Sequence, residues 1–353
     1  MLSTEVFDRI ESLAPWLGDW DGLAVRRGRP LSSPGWALAW WRHRRPADAG
    51  LRVILVRDGD ELIGVAPFFA AGRLYSMLGG DFGAAEILAA PGREQEVGGE
   101  IARSLVAGGQ RPSLIALRYR TTSPAWPQLF GAGWRGRRAW SRELDQVAVP
   151  LIRLGEDGVD GWLAGRSRNF RQDIRRRRKK IKADGGRFRL ATEETLVADV
   201  DEFLRLHLRR HPGPGETVLV GPGVTSTLVE AGAALLAAGR FRLYNLELGG
   251  RTVAAHLVLT AGPRALAWNA GFDDAYRGYA PPIQCLVQSL HDSIERGEWT
   301  IDLGEGAQDY KQRMADAEEA RCERLIIPPG PTLPLDLLRV RAHDLRHRLR
   351  PGG

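Results

Sequence analysis

The chain has 353 residues, 43% of them hydrophobic and 26% charged, the balance of a soluble globular protein with room for about two domains. Its formal charge is +7, yet residues 166–182 alone hold ten basic side chains and one acid, which leaves the remainder at −2; a protein that coats nucleic acid spreads its basic residues more widely. Two cysteines, Cys285 and Cys322, exclude a disulfide framework or zinc knuckle, and no apolar run approaches the roughly 20 residues of a membrane span.

From the N-terminus, no basic stretch leads into an apolar core, so a cytoplasmic protein is expected. Val6, Ile10 and Leu13 suggest a helical start. Ser33-Pro34 predicts a helix with Ser33 as cap and Pro34 at its first position, placing Trp36, Ala39 and Trp40 on one face. A hairpin follows at RVILVRDGDELIGVAPFF, then a helix over 94–107 and a strand at SLIALRY. In the basic run, Ser167 is an N-cap and Phe170, Ile174, Arg177 and Ile181 share one face. Asp184-Gly185-Gly186 stops that helix, with Gly185 in the left-handed position. Next come a strand at RFRLA, helices over 196–210 and 224–238, and a second hairpin at RLYNLELGGRTVAAHLVL. A strand at ALAWNAGF, a helix over 282–296 and a strand at TIDLGEG follow, and an Arg-rich amphipathic helix runs from Leu333 to Leu349.

The two hairpins align without a gap at an offset of 190: Gly59 meets Gly249 at the turn, Ile63 meets Val253, and Val65 meets Ala255. A repeat at domain-length spacing predicts two copies of one unit. The expected division is residues 1–155, residues 156–330 beginning with the basic helix, and a C-terminal helix over 331–353. Interleaved strands and helices make the fold class α/β (α+β) with mixed central sheets. Four consecutive arginines repel one another unless an anion is near. The basic helix is therefore read as a wall for a phosphate-bearing ligand, with Arg168, Arg171, Arg175 and Arg178 as contacts; a solvated charged face is the plain alternative.

The order of these features resembles a known family. A basic helix of the form S-x-x-x-F-R-x-x-x-R-R-x-x-K precedes a hairpin of the form L-x-L-x-G-x-x-V-A-A-H, then N-A-G-F-D-D-A-Y, then D-L-G-E-G-x-x-x-Y-K-Q-R. This order resembles the CelD/BcsL-type branch of the GNAT acyltransferases, related to the FemABX peptidyltransferases. The resemblance implies tandem GNAT-like domains, a site between the halves, and acyl transfer from a thioester or ester donor such as acyl-CoA (acetyl-CoA) to an amine or hydroxyl of a small-molecule, sugar or peptide acceptor. It also implies a donor loop at Arg277, Gly278, Tyr279 and Ala280, entering the next helix. Where the family has its glycines this chain has Ala280 and Pro282, and proline offers no N–H to a phosphate. That departure keeps an acyl carrier protein or an aminoacyl-tRNA open as donor.

Acyl transfer needs a neutral amine, a polarised carbonyl and a proton path. His256, mid-strand, is a candidate general base near neutral pH or a satisfied core histidine. Asp302 and Glu305, at a strand end and the turn after it, suit accepting an amine proton, orienting His256 or binding a cationic acceptor; helix capping is the plain alternative. Tyr310 and Lys311 match the family's Tyr-Lys pair, as an acid for the leaving thiolate and a contact to a phosphate or carboxylate. Trp268 and Asn269 are candidates for the pocket wall. His207 and His211, like His343 and His347, stand at i, i+4 but lack the glutamate and third ligand of a zinc motif, so no metal is expected. Two other functions remain: an aminoacyl-tRNA-dependent transferase whose basic helix holds the acceptor stem, and a non-catalytic module binding nucleic acid or another anionic polymer. Phe170 is the one aromatic in the basic run, which leaves the last without a stacking platform.

Overall fold

The structure is a computed structural model that describes residues 1–330 except 108–110, 135, 136, 138, 214 and 307. The helix expected over 333–349, with the rest of 331–353, lies outside the described residues. The chain opens with β1 (Leu2–Phe7), helices α1 (Leu17–Arg26) and α2 (Pro34–Arg44), and the hairpin β2 (Ala49–Asp58) and β3 (Glu61–Ala71). Strands β4 (Leu74–Met77) and β5 (Leu88–Ala89), helix α3 (Glu94–Val106), strand β6 (Leu114–Arg120), helix α4 (Trp126–Gly133) and strand β7 (Trp140–Arg153) follow. Then come α5 (Gly158–Ala164), α6 (Arg168–Ala183), β8 (Arg187–Leu190), α7 (Leu196–Arg210) and α8 (Val224–Leu235). Strands β9 (Phe241–Leu248), β10 (Arg251–Ala261) and β11 (Arg264–Phe272), helix α9 (Pro281–Glu295), strand β12 (Thr300–Asp302), helix α10 (Asp309–Met314) and strand β13 (Ala317–Ile327) complete it.

All thirteen strands belong to one mixed sheet, ordered β1-β2-β3-β4-β6-β13-β7-β12-β11-β10-β9-β8, with β5 beside β3. Its two wings repeat one plan. Strands β1 to β4 are antiparallel and β4 meets β6 in parallel; strands β8 to β11 are antiparallel and β11 meets β12 in parallel. The hairpins fall where the repeat put them: β3 spans 61–71 and β10 spans 251–261, with Gly59 and Gly249 at φ 60° and 59° in their turns. The closing strands are exchanged. Strand β7, which ends the first wing's stretch of chain, pairs with β12, and β13 returns to pair with β6. The two then pair with each other over eleven positions and join the wings.

One correction concerns the start. Residues 2–7 are an edge strand paired with β2, Thr4 opposite Val56, and helix begins only at Leu17, after a 3-10 turn over Glu11–Trp16. Val6 and Leu13 lie in different elements, so their helical spacing was coincidental. At α2, Ser33 occupies the cap position, but its hydroxyl donates to Asp21 instead of accepting from the helix. The basic helix α6 is as read: Ser167 accepts the N–H of Phe170, Ile174 and Ile181 are buried, and Gly185 ends it at φ 72°. Strand β10 is buried on both sides. Ala255, Leu257 and Leu259 enter the core under α2, α7 and α8, whereas Val253 and Val258 pack with α6 and α9.

Candidate active site

Strands β11 and β12 run together for three pairs, from Arg264 opposite Thr300 to Leu266 opposite Asp302. There β12 ends, while β11 continues to Phe272. On its other side β11 carries a bulge: Leu257 faces Asn269 and Val258 faces Ala267, so Trp268 is the extra residue. The result is a wedge in the sheet, with the first turn of α9 at its mouth. It opens into a cavity of about 800 Å³ whose wall also takes Leu31, Phe82 and Arg120 from the first wing.

His256, Trp268, Asn269, Ala280, Glu305, Tyr310 and Lys311 all line this cavity. His256 is buried on β10, its Nδ1 has no partner, and loss of solvent holds its pKa at about 4. It is therefore neutral and a weak base, not one poised near neutrality. Lys311 is 7% exposed and donates from Nζ to the carbonyl of Glu305 at 2.6 Å. Burial pushes its pKa down, while Asp302 and Glu305 push the other way. Tyr310 is half exposed, and partial burial raises its phenol pKa, so it stays protonated and able to donate. Trp268 packs edge-on against Trp36, 4.9 Å between ring centres, and donates to the carbonyl of Phe82. It thereby joins the wall to the first wing.

Asp302 sits behind the wall. One oxygen accepts the N–H of Gly304 at 2.8 Å and the other pairs with Arg120 at 2.8 Å. It is not part of the cavity wall and makes no bond to His256, so the geometry does not place it to take an amine proton there or to orient that ring; it anchors Arg120 and favours the charged form of Lys311. The carboxylate of Glu305 pairs through Oε1 with Arg321 at 2.5 Å, while the side chain remains half exposed in the cavity wall.

In the loop before α9, Ala280 has φ 49°, the one non-glycine residue at positive φ among those described. Pro281 and Pro282 open the helix and Gln284 already bonds back to Ala280, so Ile283 supplies the first-turn N–H left for a ligand. The carbonyls of Arg277 and Gly278 accept from Arg177, and the hydroxyl of Tyr279 donates to Asp184 at 2.7 Å. The basic helix thus clamps this loop at the cavity mouth. Arg277, Gly278 and Tyr279 are not in the cavity wall. Neither are Arg168, Arg171, Arg175 and Arg178: Arg168 is exposed, Arg171 caps the carbonyls of Ala164 and Arg166, and Arg175 and Arg178 face a separate concavity.

Among the ionisable wall residues, four were not singled out from the sequence as parts of an acyl-transfer site: Arg120, His207, Arg210 and His211. Arg120 is held by Asp302 and by the field of Glu86, with one guanidinium nitrogen, Nη1, unpartnered. His207 is locked between the carbonyl of Ala270 (2.9 Å) and the hydroxyl of Thr217 (2.8 Å), and burial lowers its pKa. No group of three His, Cys, Asp or Glu side chains suited to a metal occurs among the described residues. Arg120 could not be found from sequence because β6 reaches the wedge only through the exchanged strands.

Residues 168–312 match the family described as Acetyltransferase (GNAT) domain. Among solved structures the chain is similar to FemX (TM-score 0.60, 12% identity, 81% of this chain and 90% of that one). It is also similar to the C-terminal DUF2156 domain of a protein assigned as a lysylphosphatidylglycerol synthetase from Agrobacterium fabrum (0.55, 15%, 92% and 95%). A conserved protein of unknown function from Bacteroides thetaiotaomicron is a third (0.54, 11%, 91% and 99%). At these identities the likeness is one of fold. No curated protein matches the chain in sequence.

Proposed function

We propose that this protein transfers an acyl group from a thioester or ester donor to an amine held in the cavity between the wings. The observation that carries the reading is the wedge itself: where β11 and β12 part, one cavity opens that is lined by Lys311, Tyr310 and His256. The acceptor nitrogen attacks the acyl carbon, and the carbonyl oxygen becomes an oxyanion beside the Lys311 ammonium, whose bond to Glu305 leaves two N–H groups free. The bond to the leaving sulfur or oxygen breaks, and the Tyr310 phenol supplies a proton to it. Neutral His256 accepts a hydrogen bond from the attacking amine, whose surplus proton leaves to water in the cavity, and water returns a proton to the Tyr310 phenolate. The order of sequence motifs supports a place in the CelD/BcsL-type branch.

For the donor, the apolar wedge supports an acyl-CoA arm, with acetyl-CoA the simplest case. A specific observation favours a second reading. Two prolines at the head of α9 strip the loop of the N–H groups that grip a pyrophosphate, which suits an acyl carrier protein or an aminoacyl-tRNA as carrier. Thermal melts with acetyl-CoA and longer acyl-CoAs separate them, since a ligand bound to the native state raises Tm. A rise with any acyl-CoA, together with thiol release in the presence of an amine, is the expected result. No rise assigns the donor to a carrier protein or tRNA. Failure of acyl transfer from all three donor classes sinks the proposal.

A further inference from the structure

Helix α6 carries two kinds of basic side chain. Arg176 and Arg177 both bond Asp173, at 2.6 and 2.7 Å. Arg175, Arg178, Lys179 and Lys182 make no ion pair among the described residues, and these four line a concavity of about 690 Å³ bounded by α6, β8 and α9. It is separate from the acyl-transfer cavity and shares no lining residue with it. Helix α9 divides the two, presenting Ile283 and Leu286 to the cavity and Val287, Gln288 and His291 to the concavity. Asp160 is the single acid in the lining, and the nearby Asp292 is occupied by Tyr244 and Gln288.

Arg178 is the centre of the concavity. Its guanidinium lies 4.2 Å from the ring centre of Phe188, it bonds Gln288, and its Nη1 is closed off from solvent with no acceptor. A buried guanidinium N–H without an acceptor is unfavourable, and burial weakens the group's hold on its proton. An anion in the concavity compensates the positive charge that Arg178 and its neighbours on the lining leave unpaired. Three more cations stand within the same lining, on one helix, at successive turns.

We propose that this concavity is a binding site for phosphoryl groups, with Arg178 at its floor and Arg175, Lys179 and Lys182 at its rim. Phosphate suits it because one group accepts several donors at once and carries more charge than a carboxylate. The site rests on these residues alone and not on the acyl-transfer reading.

Equilibrium dialysis of the full chain against labelled inorganic pyrophosphate, in phosphate-free buffer at low salt, tests it. The native chain is expected to bind. Lys179→Glu with Lys182→Glu, two exposed side chains, is expected to weaken binding at least about tenfold. Arg178→Gln, which keeps a polar group over Phe188, is expected to weaken it by a similar factor. A short single-stranded RNA distinguishes the sources of phosphate. RNA binding that weakens in step with pyrophosphate assigns the site to a phosphodiester backbone, and RNA binding unchanged by the substitutions assigns it to free phosphoryl groups. Pyrophosphate that does not bind, or binds the double variant as tightly as the native chain, overturns the proposal. The readout is binding, so its failure is distinct from a failure to transfer acyl groups.

Discussion

Lys311 and His256 carry their chemistry through burial, and each gives a measurable consequence. In the proposed reaction Lys311 stabilises the oxyanion only while charged, and desolvation shifts its pKa down from 10.5. Activity should therefore fall on the alkaline side at a pH below that of an ordinary lysine. Lys311→Met, which removes the charge at similar length, is expected to lower kcat by about 10²–10³-fold, measured as thiol release under saturating donor. Retention of full turnover would remove the residue from the mechanism. His256 affects stability. Its pKa falls from 6.5 to about 4 on folding, so between those values the unfolded chain binds a proton that the native chain refuses. The histidine thus costs stability progressively as pH drops from 6.5 to 4, by about 3 kcal/mol at the end of the window. In urea titrations His256→Gln should lose less stability than the native chain across that window. Parallel losses in the two proteins would contradict the burial.

Helix α7 forms part of the cavity because one glycine lets it approach β11. A Cβ on Gly271 would stand 2.4 Å from the backbone nitrogen of His207 and 2.8 Å from the carbonyl carbon of Leu206. Gly271→Ala must push α7 outward and stretch the bond from His207 to the carbonyl of Ala270. The expected cost is about 3 kcal/mol, seen as a lower urea midpoint. An unchanged midpoint would show that the helix yields freely. This contact was not legible in the sequence, where Gly271 is one residue of an apolar strand and HLRRH invites only a zinc reading. What could be read were features written locally. The caps and seam of α6 are set by Ser167, Ile174, Ile181 and Gly185 within one stretch of chain, and the hairpins by their turn glycines and alternation. The direction in which the α6 arginines point depends on where α9 lies, and the role of Arg120 depends on which strand β6 adopts as neighbour. Both are fixed by partners far along the chain.

The exchange of closing strands sets how the whole molecule folds. Strand β6 finds its outer neighbour in β13, from Arg120 opposite Arg321 to Ile115 opposite Ile326. Strand β7 lies between β12 and β13, both from the far end of the chain. A chain cut after residue 155 keeps β1 to β7 yet leaves β6 with an open edge and β7 with neither neighbour, and unpaired edges of this length drive association. Arg120 would also lose Asp302, leaving a guanidinium that is 12% exposed in the full chain without its closest acid. The wings repeat one strand plan but form one unit in packing, because the core under α2 continues through Phe203 and Leu243 into the second wing. The full chain is therefore expected to unfold in a single urea transition followed alike by tryptophan fluorescence and circular dichroism. The fragment 1–155 is expected to show no cooperative transition and to elute as aggregates. Two separated transitions in the full chain, or a monomeric fragment that unfolds cooperatively, would show that each wing supplies its own closing strand in solution, contrary to the pairing of β7 with β12.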